Sequence, residues 1–189
     1  MPRTPLQFKR MKDERKLSIL EASLPLFALY GDKVSVDMIS SAAKCSHGLV
    51  YHYFKNTDEI YLELLNSLTY QNLKEKVFIN FKGMYAFEAL KHITITLVNE
   101  IKSSDQNVAF IILLINDSSK ESLFNIVTSL VKRGQKENDV TGGEAKDIAN
   151  AFLFIFKGMG LQYLLNKRNK IPDLDPDVLV ELFRKRSRL

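Results

Sequence analysis

The chain has 189 residues, 46% of them hydrophobic and 10% aromatic, with 8 Gly, 5 Pro and a single Cys. That supplies a sizeable core, disfavours a turn-rich β fold and excludes an internal disulfide, as a reducing cytoplasm would suit. The formal charge of +5 is unevenly spread: residues 1–56 hold 9 Lys/Arg against 5 Asp/Glu, whereas 57–183 hold 14 against 17. A basic front on a mildly acidic body is the asymmetry expected of a nucleic-acid binder.

The N-terminus is basic without an apolar segment and so is not read as a secretory signal. No apolar run approaches the ~18 residues of a membrane span, so no membrane partner is expected. Residues 1–12, with two prolines and Lys9, Arg10 and Lys12, read as a loosely ordered arm able to reach a minor groove or lie along phosphates. A helix is expected over 12–30, with Leu17, Ile19, Leu20, Leu24, Leu26 and Phe27 on its apolar side. Pro25 should bend it, and Gly31 should end it at positive φ.

The next stretch carries the most information. Ser35 is a good N-cap, and Val36, Ile39, Ala42 and Ala43 follow at helical spacing. Lys44 and Cys45 break the pattern, Ser46 offers a second N-cap, and Val50 and Phe54 lie four apart. His47, Gly48, Leu49, Tyr51 and His52 are left for the outside. Two short helices joined by a tight turn make a helix-turn-helix, whose second helix can enter a major groove. Cys45 reads as a small buried hydrophobe. His47 and His52, five apart, share no face, and no Cys/His/Asp cluster has ligand spacing, so no metal or other cofactor is expected. No nucleophile–base pair or phosphate-cradling glycine loop points to catalysis, so no catalytic residue is assigned.

On ILEASLPLFALYG and SVDMISSAAKCSHGLVYHYFKNTDEIYLELL, residues 19–65 resemble the DNA-binding domain of the TetR family of bacterial transcriptional regulators. The aromatic-rich run Tyr51 to Asn56 is the most specific part, and the resemblance covers about a quarter of the chain. It implies an all-α protein, with an arm and helix-turn-helix over 1–56 and a helical effector-binding and dimerisation domain over 57–189. Within the latter, one helix over 57–81 would link the two. The DNA-binding residues it implies are Ser35, Ser46, His47, Gly48, Leu49, Tyr51, His52 and Lys55. Leu49 could pack a thymine methyl and His47 donate to guanine or phosphate, with Tyr51, His52 and Lys55 on phosphates. Against this, Leu49 could simply complete the core and His52 be a plain surface histidine. At the start of the first helix, Arg15 and Lys16 are the candidates for the DNA backbone. This chain departs from the family pattern in three places. Lys44 stands where the turn usually has glycine, His47 where a basic residue is frequent, and Leu49 where a small hydroxyl residue is frequent.

Asn56 and Glu59 cap the following helix. Beyond it, Phe87, Leu90, Ile93, Thr94, Leu97 and Ile101 form one stripe, and VAFIILLIN is a helix buried on most sides. Ser118 and Ser119 should open the next helix, KRGQKENDVTGG reads as a loop, and a long helix spans 141–167. Asp175-Pro176 starts the last one. In the family the last two helices dimerise, which points to Phe152, Phe156, Met159, Leu179 and Phe183 as interface residues. The other aromatics and methionines, Met84, Tyr85, Phe87, Phe110, Phe124 and Tyr163, could line a pocket for an apolar effector.

The resemblance thus implies a cytoplasmic homodimer, not an enzyme, that binds a palindromic double-stranded operator and an unidentified small molecule. Two recognition helices would sit about 34–36 Å apart, or a multiple of that. Repression is the first expectation. The alternatives are activation, a helix-turn-helix used only for protein contacts and, last, a small helical enzyme.

Overall fold

In the computed structural model, which describes residues 5–166 and 175–185, the protein is all-helical. The helices are α1 (Pro5–Tyr30), α2 (Val36–Ala42), α3 (His47–Tyr53), α4 (Thr57–Leu65), α5 (Leu68–Val77), α6 (Ala86–Ser103), α7 (Asp105–Asn116), α8 (Leu123–Glu137), α9 (Ala145–Leu165) and α10 (Pro176–Glu181). They form two compact units, Met1–Tyr70 and Gln71–Leu189.

In the first unit, α1 begins at Pro5, so the expected arm is helical from that residue on, and residues 1–4 lie outside the described set. Pro25 stays inside the helix. Two residues earlier the buried Ser23 hydroxyl donates to the Ile19 carbonyl, a back-bond that often bends helices. Gly31 takes φ +55° as expected. The core joins Ile19, Leu24, Phe27 and Ala28 of α1 to Ile39, Val50, Phe54, Ile60 and Leu64, whereas Leu17, placed on the apolar side by spacing, is exposed. Lys16, a candidate for DNA contact, is tied to Glu63 of α4 and lies 5.4 Å from the centre of the Phe54 ring.

The expected linking helix over 57–81 is two helices. Asn66 ends α4, then the Ser67 hydroxyl donates to the Leu64 carbonyl and accepts from the Tyr70 amide, restarting the chain as α5. The first unit accordingly runs past residue 56. The α4 helix packs on α1 through Phe27 and Tyr61, whose rings lie 5.2 Å apart.

The second unit is built around α7, in which every residue from Val108 to Ile115 is buried, and around the predicted stripe of α6. Gly160 of α9 lets α7 come close, since a Cβ there would lie 3.1 Å from Ile112. Two expectations shift along the chain. Ser122, not Ser118 or Ser119, caps α8, because the latter two sit in a turn held by the Asp117 carboxylate (Ser119 amide to Oδ1, 2.8 Å). The supposed loop at 132–143 is helical through Glu137. Gly134 lies inside the helix, and the Val140 side chain occupies the space that a Cβ there would need, so packing requires the glycine. Val140 then pairs antiparallel with Arg184, so the chain after α10 is fixed to the loop after α8.

At 21 residues, α9 is after all long and apolar enough to cross a membrane by length and composition. Its face at Ala149, Phe152, Leu153, Phe156, Gly160 and Leu164 is buried against the rest of the unit, as in the core helix of a folded domain.

Candidate nucleic-acid interface

The helix-turn-helix is organised by three side-chain caps. Ser35 accepts from the Met38 amide (3.3 Å), Ser46 from the Leu49 amide (3.2 Å), and Asn56 from the Glu59 amide (2.9 Å). Each satisfies a donor that the first turn of a helix leaves unpaired. Glu59 completes the last cap by accepting from the Lys55 amide at 2.6 Å, one residue further back than a capping box would have it.

The turn between α2 and α3 closes through the Cys45 amide, which donates to the Ser40 carbonyl at 3.0 Å. Lys44 there has φ +50°, a left-handed conformation that favours glycine. The geometry of the usual glycine is thus kept without the glycine. Cys45 is half-buried.

Val50 and Phe54 anchor α3 in the core, as their spacing predicts. Everything else on the helix is turned by that choice. Tyr51 is 58% exposed, and Ser46, His47, Gly48, His52 and Lys55 are exposed as well. Leu49 is half-buried, so it can both touch the core and show a methyl outward. A Cβ at Gly48 would meet only the Ser46 hydroxyl oxygen, at 4.0 Å. Packing therefore does not require the glycine, and the open space leaves the backbone accessible to a ligand. The His52 ring meets Tyr53 edge-on at 5.0 Å. Spacing gave no sign of Asp37, whose Oδ1 lies 3.1 Å from Nε2 of His47. The two residues are ten apart and meet only because the turn folds α3 back beside the start of α2.

In the second unit the six residues expected to line a pocket do not converge. Phe110 is wholly buried in α7, Phe87 is buried under the Arg184 guanidinium (3.8 Å to the ring centre), and Tyr85 is 71% exposed. The Met84 carbonyl accepts from Arg133 (2.9 Å). Tyr163 donates to Asp105, and that bond holds its phenol above the ordinary value. Phe124 borders an open hollow of about 410 Å³, with Asp117, Asn125, Asn150, Phe154 and Lys157 among the other walls.

The dimer expectation fails in phase. Phe152, Phe156, Leu179 and Phe183 are buried in the unit's own core, where the Phe152 ring lies 5.3 Å from Phe156 and 5.2 Å from Phe183. Met159 is half-buried. The apolar residues that face outward are Phe154 and Leu165 of α9, beside the open Gly158, with Val178 of α10 and Leu182 just after it.

Comparison with known proteins agrees with this architecture. Residues 19–64 match the family described as bacterial regulatory proteins, tetR family. A 97-residue stretch is 27% identical to an HTH-type transcriptional regulator, YhgD, of Bacillus subtilis (strain 168). That stretch covers 51% of this chain and about half (50%) of the relative. Among solved structures, native NalD of Pseudomonas aeruginosa, the secondary repressor of the MexAB-OprM multidrug efflux pump, aligns with a TM-score of 0.54 at 20% identity. The alignment covers 90% of this chain and 95% of that one. The MbdR regulator of Azoarcus sp. CIB gives 0.58 at 17% identity, over 89% and 96%. At such identities the likeness speaks for the fold.

Proposed function

With residues 19–64 in the tetR family of bacterial regulatory proteins, we propose that this chain is a homodimeric transcriptional repressor that a small, largely apolar effector releases from a palindromic operator. The observation that carries the reading is the front of α3. Val50 and Phe54 are locked inward, so Tyr51, His52 and Lys55 stand clear of the domain beside an accessible backbone at Gly48. Ser46 and the first turn of α3 address base edges, while Tyr51 and Lys55 hold phosphates that fix the register.

Dimerisation uses the outward apolar face of α9, with Phe154, Gly158 and Leu165, and Val178 and Leu182 at α10. The hollow beside Phe124 and Phe154 offers an effector a place next to that face. Release requires only that the effector bind one dimer conformation more tightly than another.

Gel shifts on the duplex upstream of the protein's own gene, across a salt series, test the reading. Specific binding should weaken steeply with salt. Tyr51→Ala or Lys55→Ala should lower affinity for all duplexes by about tenfold, whereas Leu49→Ala should change which sequence is preferred. No binding at any salt would leave a protein-contact module as the better account.

A further inference from the structure

Two turns of α9 form one wall of the hollow beside Phe124. Asn150, Leu153, Phe154 and Lys157 follow one another at helical spacing, so they share a stripe about 10 Å long that is polar at both ends and apolar between. Lys157 is half-buried, and its Nζ donates to the Asn116 side-chain oxygen at 2.7 Å, which fixes the ammonium at one end of the stripe. That partner is neutral, and Lys157 forms no ion pair among the described residues. The carboxylate on the same hollow, Asp117, is engaged by its own turn: Oδ1 accepts from the Ser119 amide at 2.8 Å and Oδ2 from the Ser119 hydroxyl at 2.9 Å. At the other end the Asn150 side chain makes no hydrogen bond among the described residues.

We propose that this hollow takes a small amphipathic acid, whose carboxylate pairs with Lys157 and whose aromatic or alkyl body lies on Leu153, Phe154 and Phe124. An ammonium bonded only to an amide oxygen gains from an incoming carboxylate, because a hydrogen bond between two ions is the stronger kind. Asn116 holds the ammonium before anything binds, so less freedom is lost on contact. A volume of about 410 Å³ lies in the range of small-molecule sites. Phe154 belongs both to the hollow and to the outward apolar face of α9, so a bound acid would touch the surface proposed above for dimerisation. The inference rests on the reading that an effector binds at this hollow, and adds one acid group to that effector's apolar body.

The test titrates the full-length protein with phenylacetate, phenylpropanoate and octanoate, each beside its neutral primary amide. The side-chain amide NMR signals of Asn116 and Asn150 report binding at the hollow. At least one acid should give saturable shifts, and its amide should bind about tenfold more weakly, the worth of a hydrogen bond to a charged group. Lys157→Gln should abolish that preference, whereas Lys157→Arg should keep most of it. Phe124→Ala should weaken acid and amide alike, since it removes apolar contact only.

Equal affinity for acids and amides, a preference that survives Lys157→Gln, or no saturable shift from any of the three acids would overturn the acid site. Gel shifts with the bound acid added separate the site from its use. An acid that binds through Lys157 yet leaves DNA binding unchanged would overturn release by an effector and leave the site standing. Failure of all three acids in a protein that still binds DNA would strike the site alone.

Discussion

The α3 and α9 helices each bury one face and expose another, yet they differ in what fixes the choice. In α3 the inward pair Val50 and Phe54 is set by spacing among polar and aromatic neighbours, and Ser46 marks where the helix starts. In α9 the run Phe152 to Phe156 is apolar at all five positions, so the pattern carries no phase. Only the packed neighbours decide: Phe152 is 1% exposed and Phe154 is 62% exposed, two residues along. A mixed surface helix writes its orientation into its own residues, and a uniformly apolar helix borrows it from its surroundings.

The sharpest way to break that comparison is to truncate each phenylalanine. Phe152→Ala removes a ring packed against Phe156 and Phe183 and should cost about 3–5 kcal/mol of stability in denaturant unfolding. Phe154→Ala should leave the protomer's unfolding nearly unchanged and weaken self-association, read by sedimentation equilibrium across protein concentration. If Phe154→Ala were the more destabilising to the protomer, the assignment of faces would be reversed.

A smaller effect is expected at the turn of the helix-turn-helix. Lys44 holds φ +50° at a cost that glycine avoids, partly offset by glycine's greater freedom in the unfolded chain. Lys44→Gly should therefore raise stability by up to about 1 kcal/mol in denaturant unfolding. A loss of stability would mean that the turn depends on the lysine itself.

The smallest effect concerns the second unit. Burial holds the Asp139 carboxyl above its ordinary value, and the neighbouring Glu137 adds to this, against a donated amide from Phe87. Its Oδ1 is buried without a partner. A carboxyl raised by folding contributes its stability at low pH and loses it as pH rises through the raised value. Asp139→Asn, with no charge to bury, should melt slightly higher than the unaltered protein at pH 7. The gap should close as pH falls below the ordinary carboxylate range. A gap that widened on acidification would show that the ionised form is the favoured one.

What could be read from the residues alone was whatever local chemistry dictates. Ser35, Ser46, Asn56 and Asp175 each cap the helix their type and position announced, Gly31 takes its positive φ, and the α6 stripe is buried as spaced. The order of helices and the outward front of α3 follow from these, because caps and period act within a few residues along the chain. Contacts between distant residues decided the rest. The loop after α8 is tied to the chain after α10, where Val140 pairs with Arg184. Packing against the other helices selected the buried face of α9, and the fold back through Lys44 brought Asp37 to His47. None of these is periodic or local, so each exists only once the chain has closed on itself.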